Sequence, residues 1–484
     1  MENNQTNSGI LLRPYQEAAM DAFSSRLAAG VQRGVINLPT GCGKTVTGLA
    51  IAKRMGLRTL WLAHRDELIE QPHRAIRAVW PDAATGVVKA DRNELDAQVV
   101  FASIQTVSRP ERLGKLSGYG LVVVDECHHA AAPSYRRVLE ELGTFTKGGP
   151  PVLGLTATVE RGDKLGLDCA FEEIVYQLQL LQAIKDGWLV DLRTKRVVLD
   201  FNLDSISRLN GDYNQGELGA AMVRAGAADA TADAYLEHAP GRKALIFTVT
   251  VDQARRTAET LHSRGVAAEW LCGETPIDER RAILERLHSG RTMVVVNCAV
   301  LTEGFDEPSI SAILIARPTR SKSLYLQMIG RGTRIFPEKE DCLIIDLVGA
   351  SNDHKLVQAP TLFGLNTEEM GAQTLPEALA EKEKEDLEDE LVSRFIAANR
   401  KRPSRSAIHW VTASPRIYAL SAGDRGMVLM LKRGDGWIVE VAPRNRDAAH
   451  EKLQPEPVDL ELAQGIGEDH IRRSSASAAM AFGD

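Results

Sequence analysis

Short, nearly uninterrupted apolar runs alternate with longer stretches of mixed polarity from about Val31 to Thr158. The runs are Val35–Leu38, Thr59–Ala63, Val99–Ala102, Leu121–Val124 and Val152–Leu155, each followed by a polar or glycine-containing turn. Strands covered by helices on both faces read this way, because neither side of the strand meets water. The pattern repeats in Ala244–Phe247, Met293–Val296, Ala312–Ile315 and Cys342–Ile345, spaced by helical segments such as Asp252–Arg264. It predicts an α/β protein with two successive parallel-sheet units, residues 1–190 and 191–365. Between them, Asn210-Gly211-Asp212 signals a turn, and the Ala-rich stretch Leu218–Tyr235 reads as a helix leading into the second unit.

The composition then shifts. Residues 366–403 read as an acidic helical linker ending in a basic hinge that carries Arg400, Lys401 and Arg402. Residues 404–446 read as a small β-rich domain with hairpin turns at Gly423–Gly426 and Arg433–Gly436. Residues 447–484 read as a tail, loose from Arg472 onward where Ser and Ala dominate.

At 44% hydrophobic and 25% charged residues, the chain has the balance of a globular protein rather than a disordered or fibrous one. No apolar run approaches the ~20 residues of a membrane helix, and the polar start Met1–Gly9 lacks a signal core. Six cysteines with no C-x-x-C pair offer neither a disulfide framework nor a zinc ribbon, so packing is their expected role and the cytoplasm the expected location. A monomer with no membrane partner is the default expectation. The net charge of −7 does not advertise a polyanion partner, yet it is a sum over the whole surface and leaves room for a local basic groove.

The chemistry gathers at strand ends. Thr40-Gly41-Cys42-Gly43-Lys44-Thr45 follows the first apolar run and opens a helix. Glycines there let backbone N–H groups approach phosphates at a helix N-terminus, with Lys44 reaching the β/γ-phosphates and the Thr45 hydroxyl ligating Mg²⁺. The full phosphate-loop pattern wants Gly where this chain has Leu38, and in isolation the segment could be an ordinary turn. The run Leu121–Val124 ends in Asp125-Glu126-Cys127-His128. Asp125 is placed for the Mg²⁺ shell and Glu126 for the attacking water; the bland alternative is a pair of acids capping the next helix. His128 reads either as part of that chemistry or as a polar helix residue.

These segments resemble superfamily 2 helicases and translocases of the DExH type, nearest the RadD-like, XPB-like and type I restriction motor group. The resemblance runs in order through Arg13-Pro14-Tyr15-Gln16, the phosphate loop, Ala63–Leu68, Ala102–Thr106, Asp125–His128, Leu155–Thr158, Leu301–Pro308 and Gln327–Arg334, covering about Leu11 to Gly364. It implies two RecA-like domains closing on ATP and Mg²⁺. Arg13 and Gln16 would read adenine, Gly304 and Asp306 would couple nucleotide state to the track, and Thr156 and Thr158 would link the two events. Gln327, Arg331 and Arg334, spaced i, i+4 and i+7, are expected on one helix face, with both arginines supplied as fingers across the cleft. His64, Arg65, Ser103, Gln105, Thr106, Thr248, Thr302 and Arg317 match the family's strand-tracking face and suit phosphate contacts.

The implied function is an ATP-dependent helicase or translocase on DNA. The alternatives are an RNA helicase, or a motor subunit serving a partner nuclease, with the C-terminal region available to a protein partner.

Overall fold

A computed structural model describes residues 10–158, 167–209, 211–350, 356–362, 365, 374–382, 410–414, 416–422, 426–443 and 449–481. The chain divides into a unit spanning 1–378, which holds two α/β lobes, and a unit spanning 379–484.

The first lobe is built on β1 (Arg33–Asn37), β2 (Thr59–Ala63), β3 (Thr85–Lys89), β4 (Arg92–Asn93), β5 (Val99–Ser103), β6 (Leu121–Asp125), β7 (Val152–Thr156) and β8 (Glu173–Gln177). They assemble in the order β4-β3-β5-β2-β6-β7-β1-β8, all neighbours parallel except β3–β4. Every residue of β2, β5, β6 and β7 is buried. That burial is the physical content of their unbroken hydrophobicity. The edge strand β8 is half exposed, and its mixed sequence EIVYQ carries no continuous run.

The second lobe begins with β9 (Asp191–Asn202), followed by a short hairpin of β10 (Arg208–Leu209) and β11 (Asp212–Tyr213). Then come β12 (Ala244–Thr248), β13 (Ala268–Leu271), β14 (Val294–Cys298), β15 (Ala312–Ala316) and β16 (Asp341–Ala350). Its sheet is parallel throughout, in the order β13-β14-β12-β15-β16-β9. The single helix expected over Leu218–Tyr235 is instead two, Gln215–Arg224 and Ala227–His238. Gly226 breaks them at φ +64°, a left-handed conformation that glycine adopts at little cost.

The C-terminal unit is an antiparallel meander of β17 (Val411–Ser414), β18 (Ile417–Ser421), β19 (Met427–Arg433), β20 (Gly436–Ala442) and β21 (Glu451–Val458). A helix, Leu460–Ala481, follows where a loose tail was expected. Its buried Ala463, with Leu460, Ile466 and Ile471, packs on the face formed by Leu420, Val428, Met430 and Val439. Gly467 permits a close pass, since a Cβ there would sit 2.7 Å from the Trp410 ring. The tail was misread because β21 carries Pro455 and Pro457, which an edge strand tolerates, and because the helix is poor in large apolar residues. The basic hinge and most of the acidic segment lie outside the described residues. No helix among the described residues is long and apolar enough to cross a membrane.

Candidate nucleotide and nucleic-acid site

The phosphate loop joins β1 to helix Lys44–Met55. Gly41 (φ +91°) and Gly43 (φ +72°) hold it in left-handed turns, and a Cβ on Gly43 would fall 2.6 Å from Gln16 Nε2. The loop is a backbone cradle at a helix N-terminus, and Thr45 is the helix's second residue. Its back wall is supplied by the segment before it. Gln16 Nε2 donates to the carbonyls of Cys42 and Gly43, each at 3.4 Å, and Tyr15 Oη donates to Cys42 O at 3.0 Å. Gln16 therefore braces the loop's carbonyls in this conformation. Arg13 lies over the Trp188 ring at 5.6 Å and donates to Tyr15 Oη at 3.1 Å. Burial pushes the Tyr15 phenol up to about 12 and the Cys42 thiol up to about 11, so both stay neutral. Thr40, buried beside them, accepts at its carbonyl from Thr333 Oγ1 of the second lobe at 3.4 Å.

Asp125 ends β6 and Glu126 turns the chain at φ +47°, a conformation uncommon for a residue with a side chain. Both carboxylates are buried, and Lys44 Nζ stands 3.7 Å from Glu126 Oε1. Burial and the neighbouring Glu126 raise the pKa of Asp125. Burial also works to raise that of Glu126, but Lys44 and His128 outweigh it and hold the group ionised. A buried pair of carboxylates with opposed shifts beside a lysine is an arrangement suited to holding a cation and orienting water.

His128 lies between the two lobes' acids. Its Nδ1 is 3.4 Å from Glu126 Oε2 and 3.3 Å from Thr156 Oγ1, and its Nε2 is 3.7 Å from Glu303 Oε1. Burial lowers its pKa, yet the two carboxylates prevail and raise it to about 9. Thr156 in turn donates to Thr158 O at 2.8 Å, and Thr158 Oγ1 shares a 2.7 Å hydrogen bond with Ser323 Oγ on the second lobe.

Glu303 is the residue that sequence reasoning missed. Only 7% exposed, it reaches from the loop after β14 into the first lobe, where its Oε2 is 2.9 Å from His64 Nε2 and 3.2 Å from Arg65 Nε. Despite burial, His128, His129 and His64 hold its pKa far below the ordinary carboxylate range. It stood inside a segment already singled out for Gly304 and Asp306. The signal that could have found it is a glutamate flanked by Thr302 and Gly304, facing a chain with His64, His128 and His129 at strand ends.

The arginines do not share a helix face. Helix Lys322–Ile329, with Gln327 buried on it, stops at Gly330, where a Cβ would lie 2.6 Å from Thr40 Cβ. Gly332 is equally crowded, 2.3 Å from Cys342 Sγ, so close approach rather than helical continuation governs this segment. Arg331 is fully committed inside the second lobe, donating to Thr302 O at 3.2 and 2.6 Å and to Phe305 O at 2.7 Å. Arg334 faces the phosphate loop and pairs with Asp306 at 2.5 Å. Gly304, at φ +70°, allows a second close lobe-to-lobe approach, a Cβ there falling 2.7 Å from Glu67 Cβ.

The expected nucleic-acid residues separate into two groups. In the first lobe, Ser103 Oγ donates to Gln105 Oε1 at 2.8 Å, and Gln105 Nε2 donates to His64 O at 2.7 Å, with Arg65 adjacent. Thr106 Oγ1 accepts from Ala90 N at 3.3 Å. In the second lobe, Arg317 and Thr302 are buried, and Thr248 is wholly buried with its hydroxyl 3.2 Å from both Thr250 O and Asn297 O. The two groups are not merged into one continuous surface by any hydrogen bond between them among the described residues.

Comparisons with known proteins agree with this layout. The type III restriction enzyme res subunit model matches residues 9–161, and the helicase conserved C-terminal domain model matches 227–336. IRC3 of Saccharomyces cerevisiae, named as an ATP-dependent helicase, is 32% identical over 380 residues, across 75% of this chain and 55% of that protein. This chain belongs to helicase superfamily 2. It spans just over half the length of that yeast relative. Within the superfamily, the DNA 3'-5' translocase XPB2 of Sulfurisphaera tokodaii is 24% identical over 385 residues, covering 70% of this chain and 82% of that protein. A fragment of an HsdR subunit of a type I restriction enzyme from Vibrio vulnificus shares the fold at a TM-score of 0.54 and 21% identity, over 70% of this chain and 68% of that one. The two lobes are thus RecA-like helicase domains.

Proposed function

We propose that this chain is a DNA-dependent ATPase that moves along DNA, using a site completed only when the two lobes meet. The observation that carries the reading is the convergence in one cleft of Lys44, Asp125 and Glu126 from the first lobe with Glu303, Asp306 and Arg334 from the second.

The residues present fit ATP with Mg²⁺: Gly41 and Gly43, at positive φ and crowded by Arg334 and Gln16, hold a backbone cradle that could not take a Cβ at either position without strain. In this reading the loop's N–H groups and Lys44 hold the phosphates, while Thr45 and Asp125 hold the ion. The bound ion neutralises charge on the phosphates. Glu126, kept ionised by Lys44 and His128, orients water and takes its proton at a carboxylate oxygen. Arg334 exchanges Asp306 for phosphate oxygens, and Thr158–Ser323 carries the change between lobes.

DNA is favoured over RNA by the likeness to XPB2 of Sulfurisphaera tokodaii, a DNA 3'-5' translocase. The groove between the lobes, about 1330 Å³ and lined by both basic residues (His64, Arg65, Lys89, Arg280) and acidic ones (Asp66, Glu67, Glu285, Asp306), exceeds the ~300–1,000 Å³ of small-ligand pockets, so its size rather than its charge suits a polymer segment. A second reading, a motor subunit acting with a nuclease partner, is supported by the restriction-subunit model over residues 9–161. ATP hydrolysis measured with duplex DNA, single-stranded DNA and RNA, alongside strand displacement, tests both. Stimulation by DNA supports the proposal, and duplex stimulation without strand displacement moves it to the motor reading. Equal stimulation by RNA, or none by DNA, overturns it.

A further inference from the structure

We propose that His64, His129 and Glu303 form a site for a divalent transition-metal ion of the zinc class, and that an ion held there staples the two lobes together. One ligand atom from each residue lies within 4.8 Å of the others. Glu303 Oε2 is 2.9 Å from His64 Nε2, and Glu303 Oε1 is 3.5 Å from His129 Nε2. A tetrahedral ion with bonds of about 2.0–2.1 Å sets its ligand atoms roughly 3.3 Å apart, a spacing that lies between those two values, one measured to each carboxylate oxygen. The two imidazoles lie 4.1 Å apart between ring centroids, tilted by 57°, and His129 Nε2 is a buried ring nitrogen without a well-aligned hydrogen bond.

Two cations compete for Glu303. Arg65 Nε is 3.2 Å from Oε2 and His128 Nε2 is 3.7 Å from Oε1. Arg65 is about a third exposed, so an incoming ion can displace its guanidinium into water, while His128 keeps its second carboxylate, Glu126. Two imidazoles and one carboxylate with room for water select zinc, cobalt, nickel or copper. Magnesium prefers an all-oxygen octahedral shell, which separates this site from the one proposed for the nucleotide.

The ligands come from three strand ends. His64 follows β2, His129 follows β6, and Glu303 follows β14 of the other lobe. The ion would therefore sit between the buried acids and the His64–Arg65 rim, where it resists opening of the cleft.

Direct metal binding tests this without reference to nucleotide turnover. Co²⁺ titrated into the magnesium-free full-length chain should give visible d–d absorption saturating at one equivalent, lost on adding Zn²⁺, and Zn²⁺ should raise the melting temperature. His129→Ala and His129→Gln should each weaken Co²⁺ binding at least about tenfold and remove the thermal shift, with metal-free melting unchanged. His73→Ala should bind as the unaltered chain does. No d–d absorption in the unaltered chain, a sulfur-to-cobalt charge-transfer band assigning the ion to a cysteine, or undiminished affinity in both His129 variants overturns the proposal.

Discussion

Arg334 of the second lobe lies against Gly41 of the first: a Cβ on Gly41 would stand 3.0 Å from Arg334 Cγ. Gly41 also has φ +91°, which an L side chain rarely adopts. Gly41→Ala is therefore expected to distort the loop and crowd the arginine, weakening nucleotide binding at least about tenfold (about 1.4 kcal/mol or more). Gly56→Ala is the control. It too has positive φ, but nothing lies within 4 Å, so it should cost about 1 kcal/mol of stability and leave nucleotide affinity intact. Nucleotide titrations and thermal melts separate the two outcomes.

Lys44→Ala and Glu126→Gln should both lose DNA-stimulated ATP hydrolysis, by different routes. Lys44→Ala removes a phosphate ligand and should lower nucleotide affinity as well. Glu126→Gln keeps the shape of the site and should retain nucleotide while turnover falls by about 10²-fold or more. Steady-state hydrolysis paired with equilibrium nucleotide binding checks each. Undiminished turnover in either variant removes the role given to that residue.

Arg331 and Arg334 should separate in stability. Arg331 is buried and hydrogen-bonds the carbonyls of Thr302 and Phe305, so Arg331→Met strands Thr302 O in a dry site and leaves Phe305 O only a 3.4 Å hydrogen bond from Arg334. A stranded acceptor costs about 1–3 kcal/mol, so chemical denaturation should show a loss on that scale. Arg334→Ala, whose partner Asp306 is half exposed, should lose much less.

The His128 pair predicts a pH dependence. Its folded pKa is raised to about 9, above the unfolded value, so its stabilisation is fully present below about pH 6.5 and lost as pH rises through about 9. The stability gap between the unaltered chain and His128→Asn should therefore narrow between pH 6.5 and pH 10. Taking the gap cancels Lys339, whose pKa burial lowers to about 8 and which appears in both proteins. A gap that stays constant or widens across that range contradicts the assignment.

The central strands were legible because full burial on both faces forces continuous hydrophobicity, as in Leu121-Val122-Val123-Val124. The edges were not. β8, β9 and β21 expose part of each strand, so charged and polar residues interrupt them; β8 and β9 offered no continuous apolar run, and β21 fell in the expected tail. At the site, residues tied to a local turn were readable: Gly43, Lys44, Asp125 and Glu126 follow their strands directly. Glu303 and His129 gain their meaning only from contacts across the cleft, which no local pattern encodes. Arg331 was assigned to a helix face by its spacing, whereas Gly330 and Gly332 end the helix so that the backbone can press against Thr40 and Cys342. Spacing predicts a face only where the helix continues.

The central claim is that the second lobe completes a site the first lobe cannot operate alone, and Arg334→Ala tests it most directly. Nucleotide affinity and DNA-stimulated turnover should be measured on the same full-length preparation. The account predicts affinity within a few fold of the unaltered chain and turnover reduced by about 10³-fold or more, the scale of a lost arginine finger. Turnover equal to that of the unaltered chain would contradict it.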